Sequence, residues 1–281
     1  MPGGYLQSRI ATAFGGAGEA GVLDWRCAGP AIMLAMRSMV QSALTQTRIE
    51  MGIGDLRAAL LLCCALAIIA AGVFLAFPQL DLAVTHIFYG ERHAFYGTTL
   101  FGRTFREIFR LASYTIFAAF VLAYISARLY GRKRLVPTGR NLAFLALTLA
   151  LGPGLLVNGL IKEHSHRPRP FQTQDFGGTW QFRPFGDFDG QCTTDCSFVS
   201  GETSTASWSL APALLTPPPW RAAVIGASLL FTIVMGVERI AYGGHYLSDV
   251  MFGALINWAL VLAAAMLMRI RLPDRGPPGL H

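Results

Sequence analysis

The sequence predicts an all-α protein, a bundle of six transmembrane helices with its functional residues on one membrane face. Three observations predict it. Only 14% of the 281 residues are charged while 53% are hydrophobic, where a soluble domain carries about 25% charged residues. Several apolar runs approach the roughly 20 residues needed to cross a hydrocarbon core of ~30 Å. Lysines and arginines also gather in alternate connections, as the positive-inside rule requires. The mean hydropathy of +0.45 agrees.

In chain order, residues 1–54 are expected to form a cytoplasmic tail. Its apolar patch AGPAIMLAM is too short for a signal peptide and has no small-residue cleavage pattern after it. The six-span domain is expected over 55–270. Ala58–Phe77 carries no charge, Leu111–Leu129 has one late arginine, and Leu142–Ile161 has Asn158 as its strongly polar member. Thr203–Leu215 is the weak span, polar at its start and interrupted by Pro212. It is counted because the orientation works only with six. Ala222–Val237 and Val250–Met268 complete the set, and 271–281 form a second cytoplasmic tail.

The loop GRKRLVPTGR, with Arg132, Lys133, Arg134 and Arg140, is expected inside, as are Arg57, Arg269, Arg271 and Arg275. Residues near 78–110, 162–202 and 238–249 then face outward. The formal charge of +7 is mostly topology, apart from arginines on the outer side. Cys192 and Cys196 in the outer loop are spaced to close a small ring. An oxidising compartment permits that disulfide, with free thiols as the alternative.

Three outward segments hold the ionisable residues. KEHSHRPRP begins with Lys162 and contains Arg169; its bland reading is a juxtamembrane basic patch. DCSFVSGETS contains Ser200-Gly201 at a helix start, which suits an anion but equally reads as a plain cap. In VERIAYGGHYLSDV, His245 and Asp249 are spaced i, i+4, as if one helical turn apart. The carboxylate there would fix the imidazole tautomer, and Gly243-Gly244 would let Arg239 fold back. Any one alone reads as structural. Three charged clusters at one membrane face point to function, because ionisable groups near a bilayer are costly.

The pattern Lys162-x6-Arg169-Pro170, Ser200-Gly201, Arg239-x5-His245-x3-Asp249 resembles the type 2 phosphatidic acid phosphatase (PAP2) superfamily. The motifs lie within 162–249, and the six-span layout extends the likeness to about 55–270. The resemblance implies a helical bundle, no metal, no cofactor and a phosphohistidine intermediate. Carried over by position, His245 is the nucleophile and Asp249 its orienting group. Lys162, Arg169, Arg239, Ser200 and Gly201 then bind phosphate.

The sequence departs from the family where Pro-Ser-Gly-His becomes Val199-Ser200-Gly201-Glu202, and where the serine before Arg239 is Glu238. The missing histidine is the family's general acid, so Glu202 is expected to serve as the acid, with His164 or His166 as substitutes. This second motif resembles that of bacterial lipid A phosphatases. Arg103, Arg106 and Arg110 share one face of a short helix expected to lie at the membrane surface, as a headgroup-binding row or as an interfacial anchor. A substrate with several phosphates would profit from that row.

The expected partner is thus a phosphorylated membrane lipid and no nucleic acid. The expected location is the inner membrane, with the site facing the periplasm. Lipid A is the first substrate expected, and undecaprenyl diphosphate or phosphatidylglycerophosphate the next. Phosphotransfer to a second lipid fits the same residues. The rival from another class is a binding or transport relative that has lost catalysis.

Overall fold

A computed structural model describes residues 53–91, 93–130 and 138–272. Most of the expected N-terminal tail, the basic loop through Arg134 and Arg275 lie outside the described residues. Among those described, five helices are long and apolar enough to cross a membrane. In our numbering they are α1 (Ile53–Ala76), α3 (Leu100–Tyr130), α4 (Gly139–His164), α7 (Arg221–Ala241) and α8 (Leu247–Leu267). A short helix α2 (Gln79–His86) and a two-stranded ribbon, Tyr89–Gly90 with Ala94–Phe95, link α1 to α3.

Helix α3 begins earlier than the hydropathy suggests. FGRTFREIFR is its first turns and not a separate surface helix. Phe101, Phe105 and Phe109 stack along it, and Phe109 reaches Phe231 of α7. The packing of these rings against a neighbouring span carries the helix straight through its arginines. Helix α4 is α-helical to Leu149 and π-wound from Ala150 to Ile161. Pro153 lies inside this stretch, where it has no N–H to donate and its ring crowds the preceding turn. Asn158 Nδ2 donates to the Pro153 carbonyl at 2.7 Å.

The weak sixth segment is not one helix. It forms two short ones, α5 (Gly201–Ser207) and α6 (Leu210–Leu214). Helix α5 packs against α3, the π-wound part of α4, α7 and α8. All its residues except Glu202 are buried, as is every residue of α6. Its hydroxyls bond inward, Thr205 to the Gly201 carbonyl and Ser207 to that of Ser204. Asn257 of α8 donates to both Ser204 O and Ser207 Oγ. Surrounded by protein, this segment has no need of an apolar surface, which is why its hydropathy is weak.

Candidate active site

The C-terminal ends of α4 and α7 meet the N-terminal parts of α3 and α5 and the turn before α8 around one pocket of about 210 Å³. Five cations line it, Arg106, Arg110, Lys162, Arg169 and Arg239, with two carboxylates, Asp195 and Glu202. His245 and Gly201 also line it. Three distant motifs of the sequence therefore converge in space.

His245 lies in the turn between α7 and α8, before α8 begins, so it does not share a helical face with Asp249. Its side chain is almost wholly buried. Nδ1 lies 2.7 Å from the Ser197 carbonyl and 3.7 Å from Asp249 Oδ2. A carbonyl only accepts, so Nδ1 carries the hydrogen and the lone pair sits on Nε2. The backbone of Ser197, and not the carboxylate, is the direct partner that sets this tautomer. Burial pushes the imidazole pKa down to about 4, and the nearby Asp249 carboxylate opposes that only in part. The ring is therefore neutral at pH 7, with the Nε2 lone pair free.

Asp249 is held on every side. Its Oδ1 accepts from Arg167 Nη1 at 2.6 Å, and its Oδ2 from Ser197 Oγ at 2.5 Å and Tyr246 N at 2.8 Å. Arg167 is itself fully buried and reaches Asp81 Oδ2 of α2 at 2.7 Å and Ser248 Oγ at 2.7 Å. Ser248 in turn donates to Asp81 from both its N–H and its hydroxyl. Tyr246 lies under the Arg167 guanidinium. This network has almost no signal in the sequence. Arg167 stood unassigned between two motif residues. Asp81 gave one signal only, a carboxylate in an apolar stretch beside a membrane span.

Arg239 is buried at the end of α7. Its Nε and Nη1 have no hydrogen-bond partner among the described residues. Nη1 lies 3.4 Å from Glu202 Oε2 and 3.7 Å from Glu238 Oε2. Gly244 permits this placement, because a Cβ there would collide with the guanidinium. An orphaned buried donor is costly, so this one is a ready seat for an oxyanion. Lys162 and Arg169 share Asp195, whose Oδ1 lies 2.5 Å from Lys162 Nζ and Oδ2 2.6 Å from Arg169 Nη2. Asp195 stands in the ring closed by the Cys192–Cys196 disulfide.

Glu202 accepts from Arg106, from Nη2 at 2.5 Å and from Nε at 3.1 and 3.2 Å. Arg239 Nη1 lies 3.4 Å from its other oxygen, so the carboxylate is flanked by two guanidinium groups. Of the arginine row, Arg106 and Arg110 reach the pocket and Arg103 does not. Arg103 instead bonds the Thr98 carbonyl, and Arg110 is also paired with Glu107.

Ser200 is fully buried and caps α5 through Thr203 N at 3.3 Å, so its hydroxyl is not among the pocket-lining groups. Gly201 does line the pocket, and a Cβ there would strike the Asn158 amide. Neither His164 nor His166 lines it. Their Nδ1 atoms meet the carbonyls of Leu160 and Cys192. Among the described residues no cluster of three or more His, Cys, Asp or Glu could hold a metal ion.

Residues 141–272 match the PAP2 superfamily. A lipid A 4'-phosphatase of Rhizobium leguminosarum is 35% identical over 209 residues, covering 69% of this chain and 89% of that protein. The lipid A 4'-phosphatase of Rhizobium etli is 35% identical over 211 residues, covering 69% and 80%. That of Francisella tularensis subsp. novicida is 33% identical over 182 residues, covering 64% and 82%. No solved structure matches the chain.

Proposed function

The chain belongs to the PAP2 superfamily and is a membrane lipid phosphatase, and on that premise we propose that it hydrolyses a phosphate monoester of lipid A through a phosphohistidine. One observation carries the mechanism. A neutral imidazole with its free nitrogen on Nε2 lines a pocket with five cations from three different helices and one loop. His245 Nε2 attacks phosphorus, the bond to the sugar oxygen breaks, and the phosphoryl group rests on the ring. Water then attacks phosphorus, releasing inorganic phosphate and returning the neutral histidine. Dividing the displacement in two lowers each barrier. Lys162, Arg169 and Arg239 offset the charge on the phosphoryl oxygens.

Glu202 takes a different part from the acid first expected. Bonded to Arg106 and beside Arg239, it is ionised at neutral pH and has no proton to give. Its carboxylate instead draws Arg106 of α3 into the pocket. The leaving alkoxide takes its proton from water, with its charge offset by Arg106 and Arg239. The substrate class rests on the names of the relatives and on this surplus of cations.

The site faces the periplasm of the inner membrane in this reading. Arg57, Arg128, Arg140, Arg269 and Arg271 mark helix ends away from the pocket, which the positive-inside rule assigns to the cytoplasm. The α5–α6 pair serves as the sixth crossing. Both α4 and α7 end at the pocket, so the chain between them must return across the bilayer. Phosphate release from lipid A by the purified protein, with His245→Ala and Glu202→Gln alongside, tests the reading. Loss of activity in His245→Ala and a KM-dominated loss in Glu202→Gln are expected. A fully active His245→Ala sinks the mechanism, and a wild type inert on lipid A sinks the substrate.

A further inference from the structure

The pocket already holds an anion of its own. The Asp195 carboxylate spans Lys162 and Arg169 at 2.5 and 2.6 Å, one oxygen on each cation. Two oxygens of a phosphate would sit on those same two groups. The Asp195 side chain is nevertheless 71% exposed, whereas those of Lys162 and Arg169 are 10% and 13% exposed. It is therefore fastened from below by ion pairs and left open to water above. Its backbone is carried by the Cys192–Cys196 ring, and Arg169 Nε also bonds the Asp195 carbonyl at 3.0 Å. The backbone can stay docked while the carboxylate leaves.

Resting on the phosphatase reading, we propose that Asp195 is a resident counter-ion of the phosphate subsite, which the substrate's phosphate must displace from Lys162 and Arg169. Two largely buried cations without an anion repel one another, and the carboxylate relieves that repulsion while the site is empty. Burial alone would raise the Asp195 pKa, but Lys162 and Arg169 bring it below the ordinary range, so the counter-ion is charged at neutral pH. Its effect is uniform. It weakens the binding of substrate phosphate and of product phosphate alike, so it raises KM and hastens departure of the product.

The test compares wild type, Asp195→Asn and Asp195→Glu as full-length protein in detergent. Inorganic phosphate binding is read by calorimetry, and phosphate release from lipid A is read in parallel. For Asp195→Asn, Kd for phosphate and KM should both fall, roughly five- to tenfold, the size of a solvent-screened pair lost on each of two cations. Asp195→Glu keeps the charge and should stay near wild type. A Cys192→Ser/Cys196→Ser variant should shift in the direction of Asp195→Asn by a smaller factor.

A phosphate Kd in Asp195→Asn equal to or weaker than wild type overturns the proposal. So does a collapse of kcat at unchanged phosphate affinity, which would make Asp195 a proton-transfer group. A wild type that neither binds phosphate nor releases it from lipid A overturns the phosphatase reading itself. A wild type that does both, beside an Asp195→Asn that binds phosphate no tighter, overturns the counter-ion alone.

Discussion

Helix α1 and the α5–α6 pair invert one another's pattern. Along α1, Leu56, Ala70 and Phe74 are buried, while Leu61, Leu62, Ile68 and Ile69 stand 60–73% exposed on its surface. Along α5, serines and threonines are buried and Glu202 alone is not, because it faces the pocket. Apolar residues thus lie outside and polar ones inside, the reverse of a soluble protein. The reason is the solvent. Lipid accepts leucine and penalises hydroxyls, whereas a helix shielded from lipid on all sides can use hydroxyls to bond its neighbours. Chemistry that needs charge has its home in the second environment.

The largest effect that would break this contrast is at the polar centre. His245→Ala should lower phosphate release by at least about a thousandfold, as loss of a covalent nucleophile does, while detergent unfolding stays close to wild type. The pH profile sharpens the same point. On the proposed mechanism the neutral imidazole is the active form, and its pKa lies near 4, so on its account kcat/KM should hold from pH 7 down to about pH 5. It should fall only as pH passes through about 4. A fall centred near 6.5 would mean that His245 is far less desolvated than its burial implies.

Next in size is Arg167→Met, which leaves Asp81 and Asp249 buried together without their cation. A cost of about 3–5 kcal/mol is expected for breaking such a network, read as a lower thermal midpoint and lost activity together. Asn257→Leu removes the donor to Ser204 and Ser207, at a cost of about 0.6–2 kcal/mol. The smallest effect belongs to the lipid face. Leu61→Ala should change stability by less than about 0.5 kcal/mol. If Leu61→Ala proved as harmful as Asn257→Leu, the lipid-facing assignment of α1 would be wrong.

The sequence and the folded chain agree where information is local or periodic. The apolar runs of α1, α4, α7 and α8 were legible because lipid enforces composition residue by residue. Lys162, Arg169, Arg239 and His245 were legible because their spacing matches a known pattern, and the pocket brings them together. The break between α5 and α6 was hidden, since hydropathy reports the surroundings of a segment and not its continuity. So was the true start of α3, whose arginines masked a helix that ring stacking carries onward.

The Arg106–Glu202 pair lies 96 positions apart in sequence, and Arg167 meets Asp81 across 86. No periodicity encodes such meetings. Asp195 lies inside the second charged segment with no local signal, because only its position over two cations gives it meaning. The tautomer of His245 was credited to Asp249, whereas a main-chain carbonyl holds it, and side-chain identity says nothing of that.

The enclosed position of α5 also bears on how the molecule is assembled during synthesis. Chains emerge N-terminal first, so α5 and α6 reach the membrane before α7 and α8 exist. Until then the Ser204 carbonyl and Ser207 hydroxyl lack the Asn257 amide, and Glu202, which can already meet Arg106 of α3, lacks Arg239. The segment can meet α3 and α4 when it is made, but its enclosure is complete only with the last two spans. A ribosome stalled after Leu215 would leave this stretch partly enclosed, and the final helices act as the clasp that closes the bundle.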